Sequence, residues 1–171
     1  MSLVPRTWRR CNNDEIESLY LEICGEAIDE GLIDSVPTLY LFKSTAKWGQ
    51  CRWSGGMTAI GLNEVFCTDP EKAINTIIHE IGHAATPGHH HDSHWKKVSD
   101  QLGKTYGHTV KRCTSEEEKG VSLNRPAPQY KYVIECPKCH YQWKRQKMSK
   151  IISHATSYTC PICKVNLVRV K

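Results

Sequence analysis

The chain has 171 residues, 39% hydrophobic and 24% charged, which is enough apolar side chain for an ordinary globular core and too much for a disordered polyelectrolyte. No apolar run approaches the roughly 20 residues that span a bilayer, and no signal-peptide stretch opens the chain, so a membrane partner is not expected and an intracellular location is (cytoplasm and nucleoid, or nucleus). The net charge of +5 conceals a division: positions 130–171 hold nine Lys or Arg against the single acid Glu135, whereas the remainder holds 14 basic and 17 acidic residues, a deficit of three. Contact with a polyanion is therefore expected at the C-terminal end. Nine cysteines could suggest a disulfide framework, but the count is odd and four of them pair in a metal-binding pattern, so reduced thiols with zinc fit better.

In chain order, Met1–Arg10 is short and basic and is expected to be loosely ordered. From Asn12 or Asn13 to about Glu30, positions Ile16, Leu19, Tyr20, Ile23, Cys24, Ala27 and Ile28 recur at helical spacing, and Gly31 ends the run. Leu39–Phe42 is β-prone. Trp48–Trp53 and Met57–Leu62 flank Gly55-Gly56 as two further strands, so a small sheet packed on helices is expected. Cys51 is read as a packed thiol and not a nucleophile, and Trp48, Arg52 and Trp53 as sheet packing in preference to a nucleic-acid or substrate surface.

A second helix follows. Thr68 or Asp69 can cap it, Pro70 suits its first position, Glu71 favours the positive end of its dipole, and Ala73, Ile74, Ile77, Ile78 and Ile81 give it an apolar face. On it lies His79-Glu80-Ile81-Gly82-His83, an H-E-x-x-H pattern. Residues i and i+4 share a helical face, so His79 and His83 can direct two imidazoles at one metal ion with Glu80 beside them, the arrangement of a zinc hydrolase. The bland alternative is two histidines that are merely polar positions on a core helix. A catalytic zinc takes three protein ligands and keeps a fourth position for water. Beyond the Pro87-Gly88 turn stand His89, His90, His91 and His94. His91 is the expected third ligand, at the mouth of a helix capped by Asp92 or Ser93 with Trp95, Val98 and Leu102 facing inward; His89 is the other candidate.

That helix is expected to end near Tyr106. Thr114–Gln129 combines an acidic run with Pro126 and Pro128 and reads as a linker, giving a division into 1–113, 114–129 and 130–171. In the last part Cys136-x-x-Cys139 and Cys160-x-x-Cys163 are two knuckles twenty residues apart. Four thiolates close a tetrahedron and leave no position for water, so this zinc is structural and supplies stability that so small a segment lacks. Tyr141, Trp143, Lys144, Arg145, Lys147, Lys150 and Tyr158 lie between the knuckles, cations for phosphates and aromatic faces for exposed bases, which points to DNA.

Four stretches together resemble the SprT-like family of zinc metalloproteases, which includes the Spartan-type DNA–protein crosslink proteases. They are Gly55-Gly56-Met57 leading to Ile60-Gly61-Leu62-Asn63, His79-Glu80-Ile81-Gly82-His83, His91-Asp92-Ser93-His94-Trp95 (family pattern H-[GD]-x-x-[FW]) and the four-cysteine ribbon. The resemblance implies His79, His83 and His91 as ligands and Glu80 as the catalytic residue, and its pattern favours His91 over His89. The fold class so implied is α+β, a small zincin-like catalytic domain of helices on a short sheet, followed by a C-terminal zinc ribbon. The function implied is zinc-dependent endoproteolysis of DNA-associated proteins, with one catalytic and one structural Zn2+, protein substrates, and DNA as partner, single-stranded and junction-containing forms included. The competing reading is a non-proteolytic zinc-containing nucleic-acid-binding or regulatory protein.

Overall fold

The computed structural model describes residues 13–171; the expectations for Met1–Arg10 and for Asn12 as a cap lie outside the described residues. Two compact units divide the chain, Met1–Arg125 and Pro126–Lys171. Both mix helices with a small sheet, so the chain is α+β.

In the first unit, α1 (Asp14–Asp29) begins at Asn13, whose side chain accepts from the Ile16 N–H at 3.0 Å, and three acids in its first turn meet the positive end of the dipole. Its stripe of Ile16, Tyr20, Ile23, Cys24 and Ala27 is buried, while Ile28 stays at the exposed edge. The Tyr20 hydroxyl donates to the Pro37 carbonyl at 2.8 Å and so ties α1 to the approach of the sheet.

The sheet consists of β1 (Thr38–Phe42), β2 (Gly49–Ser54) and β3 (Met57–Asn63) in the order β1-β3-β2. β3 pairs parallel to β1, with Leu41 opposite Leu62, and antiparallel to β2, with Cys51 opposite Ile60. The two-residue turn Gly55-Gly56 has positive φ at both positions, which side chains resist and a tight hairpin needs. A central strand covered on both faces reads as an unbroken apolar run, and Ala59–Leu62 is buried accordingly. Asn63 at its end donates to the carbonyls of Ser44 and Lys47, both at 2.8 Å, and pins the β1–β2 loop. Trp48 packs on Phe66 in the core, as expected, whereas Arg52 and Trp53, on opposite faces of the edge strand close to its hairpin end, are both exposed.

The second helix starts later than its sequence signals suggest. Pro70–Ala73 is a 3-10 turn and α2 proper is Ile74–Ala85. Neither expected cap acts as one: Thr68 donates to the Val65 carbonyl, and Asp69 pairs with Lys72 at 2.6 Å. The apolar face is as expected, with Ile77, Ile78 and Ile81 buried against α1 and β3. α3 (Ser93–Thr105) is capped by Asp92, which accepts from the N–H groups of His94 and Trp95, both at 3.0 Å. It crosses α2 at Gly82, where a Cβ would lie 2.2 Å from Ser99 Oγ and 3.0 Å from Trp95 Nε1.

Residues 114–125 do not behave as the expected linker. Ser115 opens α4 (Glu116–Lys119) with a capping box, and Lys119 and Leu123 are buried within the first unit. The acidic run that suggested solvation instead forms a short helix held by its own caps.

In the second unit, β4 (Tyr132–Glu135) lies between β5 (Gln142–Arg145) and β6 (Val168–Arg169), all antiparallel, with α5 (Lys150–Ser153) beside them. The core is Ile134, Cys136, Ile152, Ala155, Cys160 and Leu167, two of which are cysteines. Apolar burial on this scale does not by itself hold a unit so short.

The close crossing at Gly82 yields a first prediction. Gly82→Ala should destabilise the first unit by about 1–3 kcal/mol through overpacking, and Ser99→Ala in the same chain should restore part of that loss by removing the clashing oxygen. Urea unfolding of the four chains checks it; additive effects would mean that the contact does not limit the approach of the helices.

Candidate metal centres

α2 carries both sides of the first site. Its core-facing positions alternate with His79, Glu80 and His83, so the helical period that buries three isoleucines also aims two imidazoles one turn apart. The chain then turns at Pro87-Gly88, with Gly88 at φ +85°, Thr86 Oγ1 donating to the Gly82 carbonyl at 2.7 Å and the His89 N–H to Thr86 O at 3.0 Å. His91 follows at φ +57°, a left-handed conformation that costs a side-chain-bearing residue on the order of 1 kcal/mol and persists where the surroundings enforce it. The consequence is geometric: His91 Nε2 comes to 2.9 Å from His79 Nε2 and 3.0 Å from His83 Nε2.

These three ring nitrogens could hold one metal ion. Nitrogens bound to zinc at about 2.0–2.1 Å on a tetrahedron lie roughly 3.3 Å apart, close to the spacing observed. The donor chemistry also fits. His79 Nδ1 lies 3.2 Å from the Lys111 carbonyl, a contact that places the ring proton on Nδ1 and leaves Nε2 a free lone pair. Burial, reinforced by the neighbouring imidazoles, lowers the pKa of His79 to about 3; burial and His91 lower that of His83 to about 4; burial likewise lowers that of His91. All three rings are therefore neutral near pH 7, the form that binds metal. Trp95, fully buried, supports them, edge-on to His91 at 4.5 Å and to His79 at 4.8 Å, and tilted by 31° against His83 at 5.4 Å. His89 turns away to pair with Asp92 and stacks on His94, so it is not among the converging rings.

Glu80 is 6% exposed. The Cys51 N–H donates to its carboxylate, and Gly49 makes room for it: a Cβ there would lie 2.7 Å from Glu80 Oε1. Burial pushes its pKa up to about 8, against the opposing pull of Lys119 and Lys47. A carboxyl poised there can take and give a proton near neutral pH. The Cys51 thiol, raised to about 12 by burial and then by Glu80, is inert as a nucleophile. A cavity of about 370 Å³ opens beside His79 and Glu80, walled by Trp48, Gly49, Thr76 and Arg112. A larger hollow, about 570 Å³, runs past Asp69 and His108 and touches neither His79 nor Glu80.

In the second unit Cys136, Cys139, Cys160 and Cys163 are unlinked thiols whose sulfur atoms lie within 4.8 Å of one another, and they too could hold a metal ion. The two knuckles repeat each other. The N–H groups of Cys139 and Cys163 point at the sulfurs of Cys136 and Cys160, both at 3.4 Å. His140 and Lys164 follow in the left-handed conformation, each N–H closing on the carbonyl four residues back at 2.9 Å.

Sequence reasoning missed Lys119, which lines the cleft beside Glu80 and donates to Thr76 Oγ1 at 2.6 Å. Its signal was Ser115-x-x-Glu118, a capping-box pattern inside the stretch read as a linker.

The fold and its two ligand clusters define a mixed α+β chain with one three-histidine and one four-cysteine candidate metal centre. A profile of the SprT-like family matches residues 22–118, and the chain belongs to that metalloprotease-like family. Over 121 residues it is 30% identical to the Germ cell nuclear acidic-1 protein of Caenorhabditis elegans, an alignment covering 66% of this chain and 21% of that protein. The chain thus spans about a fifth of the length of that relative.

Metal analysis of the purified protein should return two zinc ions per chain, falling to one both in His79→Ala/His91→Ala and in Cys136→Ser/Cys139→Ser. A metal held by the cysteine cluster would staple the second unit, so the second pair should also unfold that unit, visible as lost amide dispersion, while the first leaves it intact.

Proposed function

We propose that the chain is a zinc-dependent endopeptidase acting on DNA-associated proteins, and that its second unit is a zinc ribbon contacting DNA. The observation that carries this is the convergence of three neutral imidazole nitrogens next to a buried carboxyl of raised pKa, with an open cleft reaching His79 and Glu80. In this reading residues 22–118 carry a zincin-like catalytic domain, with His79, His83 and His91 holding the ion and Glu80 left uncoordinated. Zinc bound there would polarise the scissile carbonyl and acidify a water molecule. Glu80, fixed by the Cys51 N–H and given space by Gly49, takes the proton from the attacking water and delivers it to the leaving amine. Trp95 and the Asp92 cap hold His91 in place while this happens.

The four thiolates leave no open position, so a zinc among them is structural. Around it Lys144, Arg145, Lys147 and Lys150 are exposed, as are Tyr141 and Tyr158, a set suited to phosphates and unpaired bases. The relative's name describes a germ-cell nuclear protein, which supports an intracellular, DNA-associated setting for this chain. Among the described residues no helix is long and apolar enough to cross a membrane. A ribbon bound to DNA would keep the catalytic unit at high effective concentration around proteins on the same strand.

Glu80→Gln should retain both zinc ions yet lose proteolysis of a DNA-bound protein by about a hundredfold or more, the scale of a general acid–base contribution. Equal cleavage by the variant would remove Glu80 from the reaction; zinc and DNA binding with no cleavage by the parent itself would favour the non-proteolytic binding protein. Deleting residues 130–171 should weaken DNA affinity and DNA-stimulated cleavage together, with gel shifts and cleavage time courses as the measurements. Undiminished stimulation in the shortened chain would refute tethering through the ribbon.

A further inference from the structure

The cleft beside Glu80 has a charge character that peptide hydrolysis alone does not require. Although residues 1–129 carry a deficit of three charges, among the described residues five cations line this cavity and Glu80 is its only acid. Two of the five are neutralised at the rim, Lys111 by Glu118 and Arg125 by Glu116. Lys47, Arg112 and Lys119 remain.

Lys119 is the unusual member, only 8% exposed. Its helix is fixed at both ends, by the Ser115–Glu118 capping box and by left-handed Gly120, so the side chain is placed and not draped. The ammonium donates to Thr76 Oγ1 at 2.6 Å, one helical turn before Glu80 on the cleft wall. An ammonium has three N–H donors, and burying it is costly unless it is paired. Among the described residues Thr76 is its hydrogen-bond partner and no carboxylate forms an ion pair with it, Glu80 and then Glu118, itself paired with Lys111, acting on it from a greater distance. Burial holds its pKa down to about 8, as expected of a cation short of counter-charge.

We propose that this cavity is a subsite for an acidic side chain: it accepts an Asp or Glu of an extended peptide next to the bond presented to Glu80, with Lys119 at its floor and Lys47 and Arg112 at its mouth. The inference rests on the endopeptidase reading for the class of its ligand. An ammonium and a carboxylate meeting away from water form a charge-assisted hydrogen bond stronger than a neutral one, and the two N–H groups that Thr76 does not take are available for it. A polypeptide is favoured over a nucleic-acid strand because the cation is nine-tenths buried, within reach of a narrow side chain and not of a duplex backbone, and because the cavity shares His79 and Glu80 with the site of cleavage.

The test uses the full-length, zinc-loaded Glu80→Gln protein, which binds without turning over, and fluorescein-labelled Gly/Ser/Ala peptides carrying one Asp, or Asn in its place, moved through successive positions. At one register Asp should bind about tenfold more tightly than Asn, the worth of one charge-assisted bond. Adding Lys119→Met should bring that ratio towards one. Lys47→Gln with Arg112→Gln, both at exposed positions, should reduce it about two- to fivefold and keeps the test open if the Lys119 variant fails to fold. Equal binding of Asp and Asn at every register, or a ratio unchanged by both sets of substitutions, overturns the subsite. So does a labelled oligothymidylate that displaces the peptides and loses affinity with Lys119→Met while the Asp to Asn ratio stays at one, since the cleft then takes phosphate. A parent protein that binds the acidic peptide selectively but never cuts it sinks the endopeptidase reading and leaves the subsite standing.

Discussion

Three converging imidazole nitrogens, that of His91 2.9 Å from His79 and 3.0 Å from His83, set the terms for the first unit. Burial keeps the His79 and His83 rings neutral, and the Lys111 carbonyl at His79 Nδ1 leaves His79 Nε2 with a lone pair facing His91. A divalent cation would complete such a cluster, and the surrounding structure holds the three rings in place for one. α2 supplies two rings through its own period, the glycine at its crossing lets α3 come close enough to deliver the third, and Asp92 anchors the start of α3 directly after the left-handed His91. Trp95, packed under all three rings, joins the site to the core without a polar contact of its own to them.

The same helix carries the core and the chemistry, and this links stability to function at the level of single turns. Ile77, Ile78 and Ile81 anchor the face opposite His79 and His83, so the rings inherit the rigidity of the best-packed element in the chain. Glu80 lies between the two faces, against β2, where burial raises its pKa and the Cys51 N–H orients it. A carboxylate on an exposed loop would titrate well below neutrality. The second unit meets a different problem with similar means: its short strands cannot exclude enough water, and a metal ion held by the four sulfurs of its two repeated knuckles would supply the missing cohesion.

What was legible in the sequence followed from periodicity and spacing. The α1 stripe, the apolar face of α2, the Gly55-Gly56 hairpin and both cysteine knuckles are local patterns, and the positions that bring His79, His83 and His91 together lie within thirteen residues of one another. What was not legible depends on partners distant in sequence. Thr68 and Asp69 look like caps but spend their side chains on Val65 and Lys72, so α2 opens through a 3-10 turn. Trp53 reads as a core aromatic but stands next to the hairpin turn at the end of an edge strand and is exposed. The environment of Glu80 is set by Gly49 and Cys51, some thirty positions away, and no spacing rule connects them to the H-E-x-x-H pattern.

Residues 114–125 illustrate how composition misleads when a short motif is nested in it. Three consecutive glutamates followed by prolines describe solvent-exposed chain on average, yet Glu118 caps its own helix and holds Lys111, and Glu116 holds Arg125. Surface pairs of this kind are worth little individually. Their effect is instead to remove rim cations from play and to fix the short helix, so that the one side chain driven inward is Lys119, placed next to Thr76 and Glu80. The acidic run thus determines which positive charge the cleft presents at its floor, and the electrostatics of the candidate active site are completed by a segment outside the helices that carry its histidines.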